Sequence, residues 1–113
     1  MANKYNAKKI EIDGHVFDSK REAKFYQLYK LELDAGHLTA LELQPQFELQ
    51  PHFRDSEGKM ERAIKYTPDF LLTYPDGRKL AVEVKGFKTR DYILRRKMFK
   101  FKFKGVIDFV EVH

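Results

Sequence analysis

The chain has 113 residues with ten Phe and six Tyr, enough for one compact domain with a filled core. It has no Cys, which excludes disulfides and thiolate metal sites, and no run suits a membrane span or signal peptide, so a reducing cytoplasm is the expected location. The net charge is +5, but residues 85–104 hold nine Lys and Arg against Asp91 alone, a net +8, which leaves 13 basic against 16 acidic residues elsewhere. A concentrated basic block suits a polyanion-binding surface, although a solvated helix face would have the same composition.

Residues 1–9 are polar and read as a frayed end. A small hairpin is expected over Lys9 to Phe17, where Ile10 and Ile12 alternate and Asp13-Gly14 signals a tight turn. Ser19-x-x-Glu22 matches a capping box, so a helix starts there. Phe25, Leu28, Tyr29 and Leu31 recur at helical spacing, and Gly36 is a natural stop. Leu41 to Leu49 alternates as a strand, residues 50–62 read as a loop, and Ile64 to Tyr74 reads as a second strand. Pro75-Asp76-Gly77 is a turn before a third strand, Leu80 to Val84. Thr89 is placed to cap a helix from Arg90 to about Phe103, and Gly105 precedes a last strand, Val106 to Val112.

That helix has two apolar sides. Ile93, Leu94, Met98 and Phe101 form one stripe, with Tyr92, Phe99 and Phe103 opposite. Either both sides are covered, for instance by a second subunit, or the helix ends early, because Lys100 to Lys104 also alternates like a strand. Lys97 sits near the first stripe, either snorkelling or reaching towards a cleft. Asp108 and Glu111 are expected to face solvent.

The residues that suggest chemistry are Asp69, Glu83 and Lys85. Glu83 follows Asp69 after thirteen intervening residues. On a strand, Glu83 and Lys85 share one face while Val82 and Val84 take the other. The turn at 75–77 folds the Asp69 strand back beside Glu83, and Pro68 suggests a bend at Asp69. Two adjacent carboxylates repel unless a hard cation neutralises them, and Mg²⁺ is commonly held by one or two carboxylates plus water. Lys85 can orient an attacking water or offset charge on a phosphoryl transition state. The basic block beginning at Lys85 supplies candidate DNA contacts at Lys88, Thr89, Arg90, Arg96, Lys97, Lys100 and Lys104. Thr89 and Arg90, at a helix start, are placed for a phosphate. The four His are scattered without zinc spacing, and no glycine-rich phosphate loop exists.

Pro68-Asp69, then Val82-Glu83-Val84-Lys85-Gly86, then a basic helix, together resemble the PD-(D/E)XK nuclease superfamily. The likeness runs roughly from Ser19 to Val112, since the element order also fits. Phe17-Asp18-Ser19-Lys20-Arg21-Glu22-Ala23, Leu43-Gln44-Pro45-Gln46-Phe47 and Val84-Lys85-Gly86 are similar to a small phage-encoded family carrying a domain of unknown function. The resemblance implies one α/β domain over 1–113 with a restriction-endonuclease-like αβββαβ core. A mixed central sheet would be flanked by helices and preceded by a short hairpin. It implies that Asp69, Glu83 and Lys85 fill the catalytic slots, and that Val84 offers its carbonyl to the metal. Glu22 would be the acidic residue on the first helix aimed at a metal-bound water, although the capping box already accounts for it.

The expected activity is Mg²⁺-dependent DNA cleavage, with Mn²⁺ able to substitute. So small a chain leaves little room for a base-reading module. Selection of branched DNA, such as a Holliday junction or flap, or targeting by a partner is therefore expected. A homodimer or a phage replication or recombination protein are the expected partners, with no membrane. The rivals are a non-catalytic nucleic-acid-binding protein of the same fold and a protein-binding adaptor.

Overall fold

The computed structural model describes residues 9–84 and 88–113. Lys85 therefore lies outside the described residues, as do residues 1–8.

The hairpin forms as expected. Strands β1 (Ile10–Ile12) and β2 (His15–Phe17) pair antiparallel. Asp13 and Gly14 both take positive φ, 54° and 81°, as a two-residue turn matched to strand twist requires. Helix α1 (Lys20–Asp34) is capped by Ser19, whose Oγ accepts the Glu22 N–H at 3.1 Å. The Tyr26 hydroxyl donates to Asp13 Oδ2 at 2.8 Å and fastens the hairpin turn to α1.

Two expected strands are broken. The first divides into β3 (Ala40–Leu43) and β4 (Phe47–Gln50). The stretch expected to be a loop contains a short ribbon, β5 (Phe53–Arg54) and β6 (Met60–Glu61), whose turn is held by Asp55 Oδ1 accepting the N–H groups of Glu57 and Lys59. The second expected strand divides into β7 (Ile64–Tyr66) and β8 (Phe70–Thr73). Pro45 and Pro68 lie in the two breaks and cannot donate to a ladder. The breaks face each other, because β3 pairs with β8, β4 pairs with β7, and between them the Gln44 N–H donates to the Asp69 carbonyl at 2.9 Å.

After the turn at 75–77 comes β9 (Lys79–Val84), antiparallel to β8. Helix α2 (Arg90–Lys102) starts at Thr89, whose hydroxyl oxygen accepts the Tyr92 N–H at 3.0 Å. The last strand, β10 (Asp108–Val112), starts two residues later than expected and runs parallel to β9. The central sheet is thus mixed, in the order β10-β9-β8-β3.

The two faces of this sheet make two cores. Phe70, Leu72 and Val82, with Val84, Val110 and Val112, pack with Ala23 and Tyr26 of α1. Leu71 and Ala81, with Phe109, pack with Phe99 of α2 and with Leu49 and Tyr66. This alternation follows from the period of two along a strand. Phe70 and Phe99 are fully buried, each worth about 1.5–3 kcal/mol of apolar burial.

Within the chain, the sheet covers one of the two apolar sides of α2. The side carrying Tyr92, Phe99 and Phe103 meets the sheet together with Met98, while Leu94 and Phe101 are 56% and 83% exposed. The helix does not end early, since it continues through Lys102. Lys97 lies exposed along a shallow groove with Leu49, Met98 and Phe101, as snorkelling would place it. No helix among the described residues is long and apolar enough to cross a membrane.

Candidate active site

Asp69 sits where the chain turns from β7 into β8. Its carbonyl is held by Gln44 from one side. From the other, its Oδ2 accepts the Val84 N–H at 2.7 Å. Continuing the Phe70↔Val82 register by one residue sets Asp69 opposite Glu83. The break at Pro68 therefore has a positional consequence, because it leaves Asp69 at the end of the ladder with its carboxylate turned onto the β9 backbone.

Glu22 meets Asp69 from α1. Burial pushes the Glu22 carboxyl up to about 8. A side-chain hydrogen bond to Asp69 and the charges of Asp69 and Asp18 act in the same direction, against a backbone hydrogen bond at Asp18. Capping and pairing coexist. The Glu22 backbone N–H goes to Ser19, while its carboxyl shares a hydrogen bond with Asp69. Both residues open onto a cleft of about 310 Å³, roofed by Gly14, His15 and Phe17 of the hairpin and bounded by Gln44. Gln44 takes φ 49°, an uncommon conformation for a residue with a Cβ.

Glu83 lies on the α2 side of the sheet, as its alternation with Val82 and Val84 requires. It accepts a hydrogen bond from the Tyr66 hydroxyl at 2.5 Å. Burial raises the Tyr66 phenol, and the hydrogen bond to Glu83 and the charges of Glu83 and Asp69 raise it further. Asp69 therefore acts electrostatically on both neighbours, Glu22 on the α1 side and Tyr66 on the α2 side.

Beside Glu83 in parallel register stands Glu111. Its expected exposure is corrected, since its side chain is 14% exposed and binds three donors. The Tyr92 hydroxyl and the Arg96 guanidinium both donate to its Oε2, and Lys88 Nζ lies 3.3 Å from its Oε1. Burial works to raise the Glu111 carboxyl, but these three hydrogen bonds outweigh it and hold the group at about 2.

This network divides the expected DNA contacts. Arg96, 22% exposed, pairs with Glu111, and its guanidinium lies 5.3 Å from the Tyr92 ring centroid. Lys88 is half-exposed and paired with the same carboxylate. The Thr89 hydroxyl oxygen caps α2. Arg90, Lys97 and Lys104 are exposed, and Lys100, also exposed, rests over the Phe109 ring at 5.1 Å.

Sequence reasoning missed Tyr66, Tyr92 and Glu111. A signal for Glu111 was available, because Phe109-x-Glu111 repeats the alternation of Ala81-x-Glu83 on the adjacent strand. Tyr66 gave no such signal, since its partner becomes evident only once β7 is known to fold away from β8. Among the described residues no group of three or more His, Cys, Asp or Glu is gathered as a metal-ligand set. The described donors are the Glu22–Asp69 pair with Glu83 near it. A cation such as Mg²⁺, commonly held by one or two carboxylates with water, would need no more than two of them.

Fold and site together define a mixed α/β protein with a carboxylate pair at the end of its central sheet. The chain belongs to the family described as Protein of unknown function (DUF1064), whose model matches residues 2–111. That agrees with the expected likeness to a family of unknown function. Comparison with curated proteins finds no match.

Proposed function

We propose that this protein is a metal-dependent DNA endonuclease of the PD-(D/E)XK type with a restriction-endonuclease-like core. The observation that carries the reading is the Glu22–Asp69 pair, two carboxylates from separate elements held together at one sheet end. Keeping two acids in contact is costly unless they share a proton or a cation, so such pairs mark functional sites.

Asp69 and Glu83, with the Val84 carbonyl, would hold the ion, Mg²⁺ or Mn²⁺. It would supply charge neutralisation at the phosphodiester and acidify water. Asp69 is already oriented by Val84, and Glu83 by Tyr66. Glu22, hydrogen-bonded to Asp69 beneath the hairpin, would orient the attacking water. In hydrolysis the water oxygen bonds to phosphorus, the bond to the leaving sugar oxygen breaks, and that oxygen takes up a proton. Lys85 is the proposed partner of the transition-state charge. Arg90, Lys97, Lys100 and Lys104 would contact phosphates on the α2 side. Selection of branched DNA or delivery by a partner protein belongs to the same proposal.

The test is incubation of supercoiled plasmid and synthetic branched DNA with and without Mg²⁺ or Mn²⁺. Metal-dependent cutting that disappears in folded Asp69→Ala and Lys85→Ala variants supports the proposal. DNA binding without cutting by the wild type on any substrate would instead leave a nucleic-acid-binding protein.

A further inference from the structure

A second cleft lies apart from the one the acid pair faces. It measures about 910 Å³ and is lined by Lys20, Arg21, Lys24, Phe25 and Leu28 of α1, reaching Val84 and His113 of the sheet end. Lys20, Arg21 and Lys24 are exposed, and no acidic residue lines the cleft among the described residues. Leu28 is 49% exposed, so its floor is apolar and open. Residues 21, 24, 25 and 28 share one helix face by their three-to-four spacing, and Glu22, Tyr26 and Tyr29 take the neighbouring face. The cleft and the acid pair are joined through two residues. Arg21 adjoins Glu22 in the chain, and Val84 supplies the N–H that holds Asp69.

We propose that this cleft binds an unpaired nucleic-acid strand, with phosphates along Lys20 and Lys24 and a base against Phe25 and Leu28. The assignment to a strand leading out of a cleavage site rests on the nuclease reading, while the binding itself does not. A cationic rim alone would suit any polyanion. The apolar floor decides between them, because a duplex keeps its base faces stacked inside and would leave Phe25 and Leu28 uncovered. An unpaired strand offers both a charged backbone and flat apolar faces, the combination that single-strand sites use. The cations of α2 lie across the sheet from this groove, so one strand would part from its complement near Asp69. That geometry suits a flap or splayed branch.

The experiment is fluorescence anisotropy in EDTA, where cutting is suppressed. The probes are a blunt duplex, the same duplex with a single-stranded overhang, a single strand and polyglutamate. The wild type should favour the overhang and the single strand. Phe25 also packs towards the core, so Leu28→Gln reads the floor with less effect on the fold. It should weaken overhang and single-strand binding by about fivefold or more, while blunt-duplex binding changes by less than about twofold. The Lys20→Ala, Lys24→Ala pair should weaken the overhang and flatten its salt dependence by about one unit of slope. Equal wild-type affinity for blunt and overhang DNA, parallel losses on both in the variants, or equal binding of polyglutamate would overturn the proposal. The two readings separate cleanly. Absence of metal-dependent cutting with the overhang preference intact removes the nuclease reading alone. Cutting without the preference removes the cleft alone.

Discussion

Asp69 Oδ2 accepts the backbone N–H of Val84 at 2.7 Å, so the carboxylate at the start of β8 is fixed by the peptide that follows Glu83. The bond separates the two jobs of Asp69. An amide oxygen can accept the same N–H but cannot carry the charge. Asp69→Asn should therefore keep the fold and lower metal-dependent cleavage by about a hundredfold or more. Asp69→Ala should also strand the Val84 N–H, which costs about 1–3 kcal/mol and lowers Tm by several degrees. Cleavage assays and thermal unfolding on both variants check this, and equal Tm losses would contradict it.

Glu22 makes metal-free stability depend on pH. Its folded value of about 8 lies above the ordinary 4.5, so between these limits the folded state holds a proton that the unfolded state has lost. Stability is therefore fully retained below 4.5, falls as pH rises through the window, and levels off above about 8. Thermal unfolding in EDTA should follow this trend, and Glu22→Gln should remove Glu22's share of it. A bound divalent cation competes with the proton, so Mg²⁺ should raise Tm more above the Glu22 value of about 8 than about two units below it. A wild-type curve that rises across this window would contradict the raised Glu22 value.

Tyr66 holds Glu83 through its hydroxyl while its ring packs against Phe99 at 5.3 Å between centroids. Tyr66→Phe removes the first contact and keeps the second. Partners that orient ligands in this way are worth about 10–100-fold in metal affinity. Calorimetric titration with Mn²⁺ should find a loss in that range, with little change in Tm. Unchanged affinity would place Glu83 outside the ion's ligands.

Much of this arrangement was legible in the sequence, for identifiable reasons. Ser19-x-x-Glu22 and Thr89 have local meaning, so both helix starts follow from short-range chemistry. Asp13-Gly14 and Pro75-Asp76-Gly77 fixed two turns in the same way. The Glu83 side of β9 followed from alternation alone. The paired breaks at Gln44 to Gln46 and Thr67 to Asp69 were only half legible. Pro68 signalled a bend at Asp69, but that the partner strand bends opposite it depends on the Gln44–Asp69 contact between residues 25 positions apart. The orientation of α2 was not legible, because both its sides are apolar and only the sheet selects Phe99 over Phe101. Glu111 shared the alternation of Glu83, but its partners came only with the placement of α2. A charged residue on a last strand reads as solvent-facing until the helix that covers it is placed.

Arg96 and Arg90 are both cations of α2, and the structure gives them different work. Arg96 is bound to Glu111 and largely buried, while Arg90 is exposed at the helix start. Arg96→Ala should destabilise the fold by about 1–3 kcal/mol, as expected when a partly buried charge loses its partner. Arg90→Ala should leave Tm within about 1 °C, a typical surface effect, and weaken DNA binding with a shallower salt slope. Glu111 supplies the second half of the test. Its folded value of about 2 lies below the ordinary 4.5, so its contribution is complete above 4.5 and is lost as pH falls towards 2. Arg96→Ala and Glu111→Gln share one interaction, so their combined cost at pH 7 should be less than additive by about 0.5–3 kcal/mol. Additive costs, or an Arg96→Ala variant that loses DNA binding at full stability, would return Arg96 to the DNA-contacting surface.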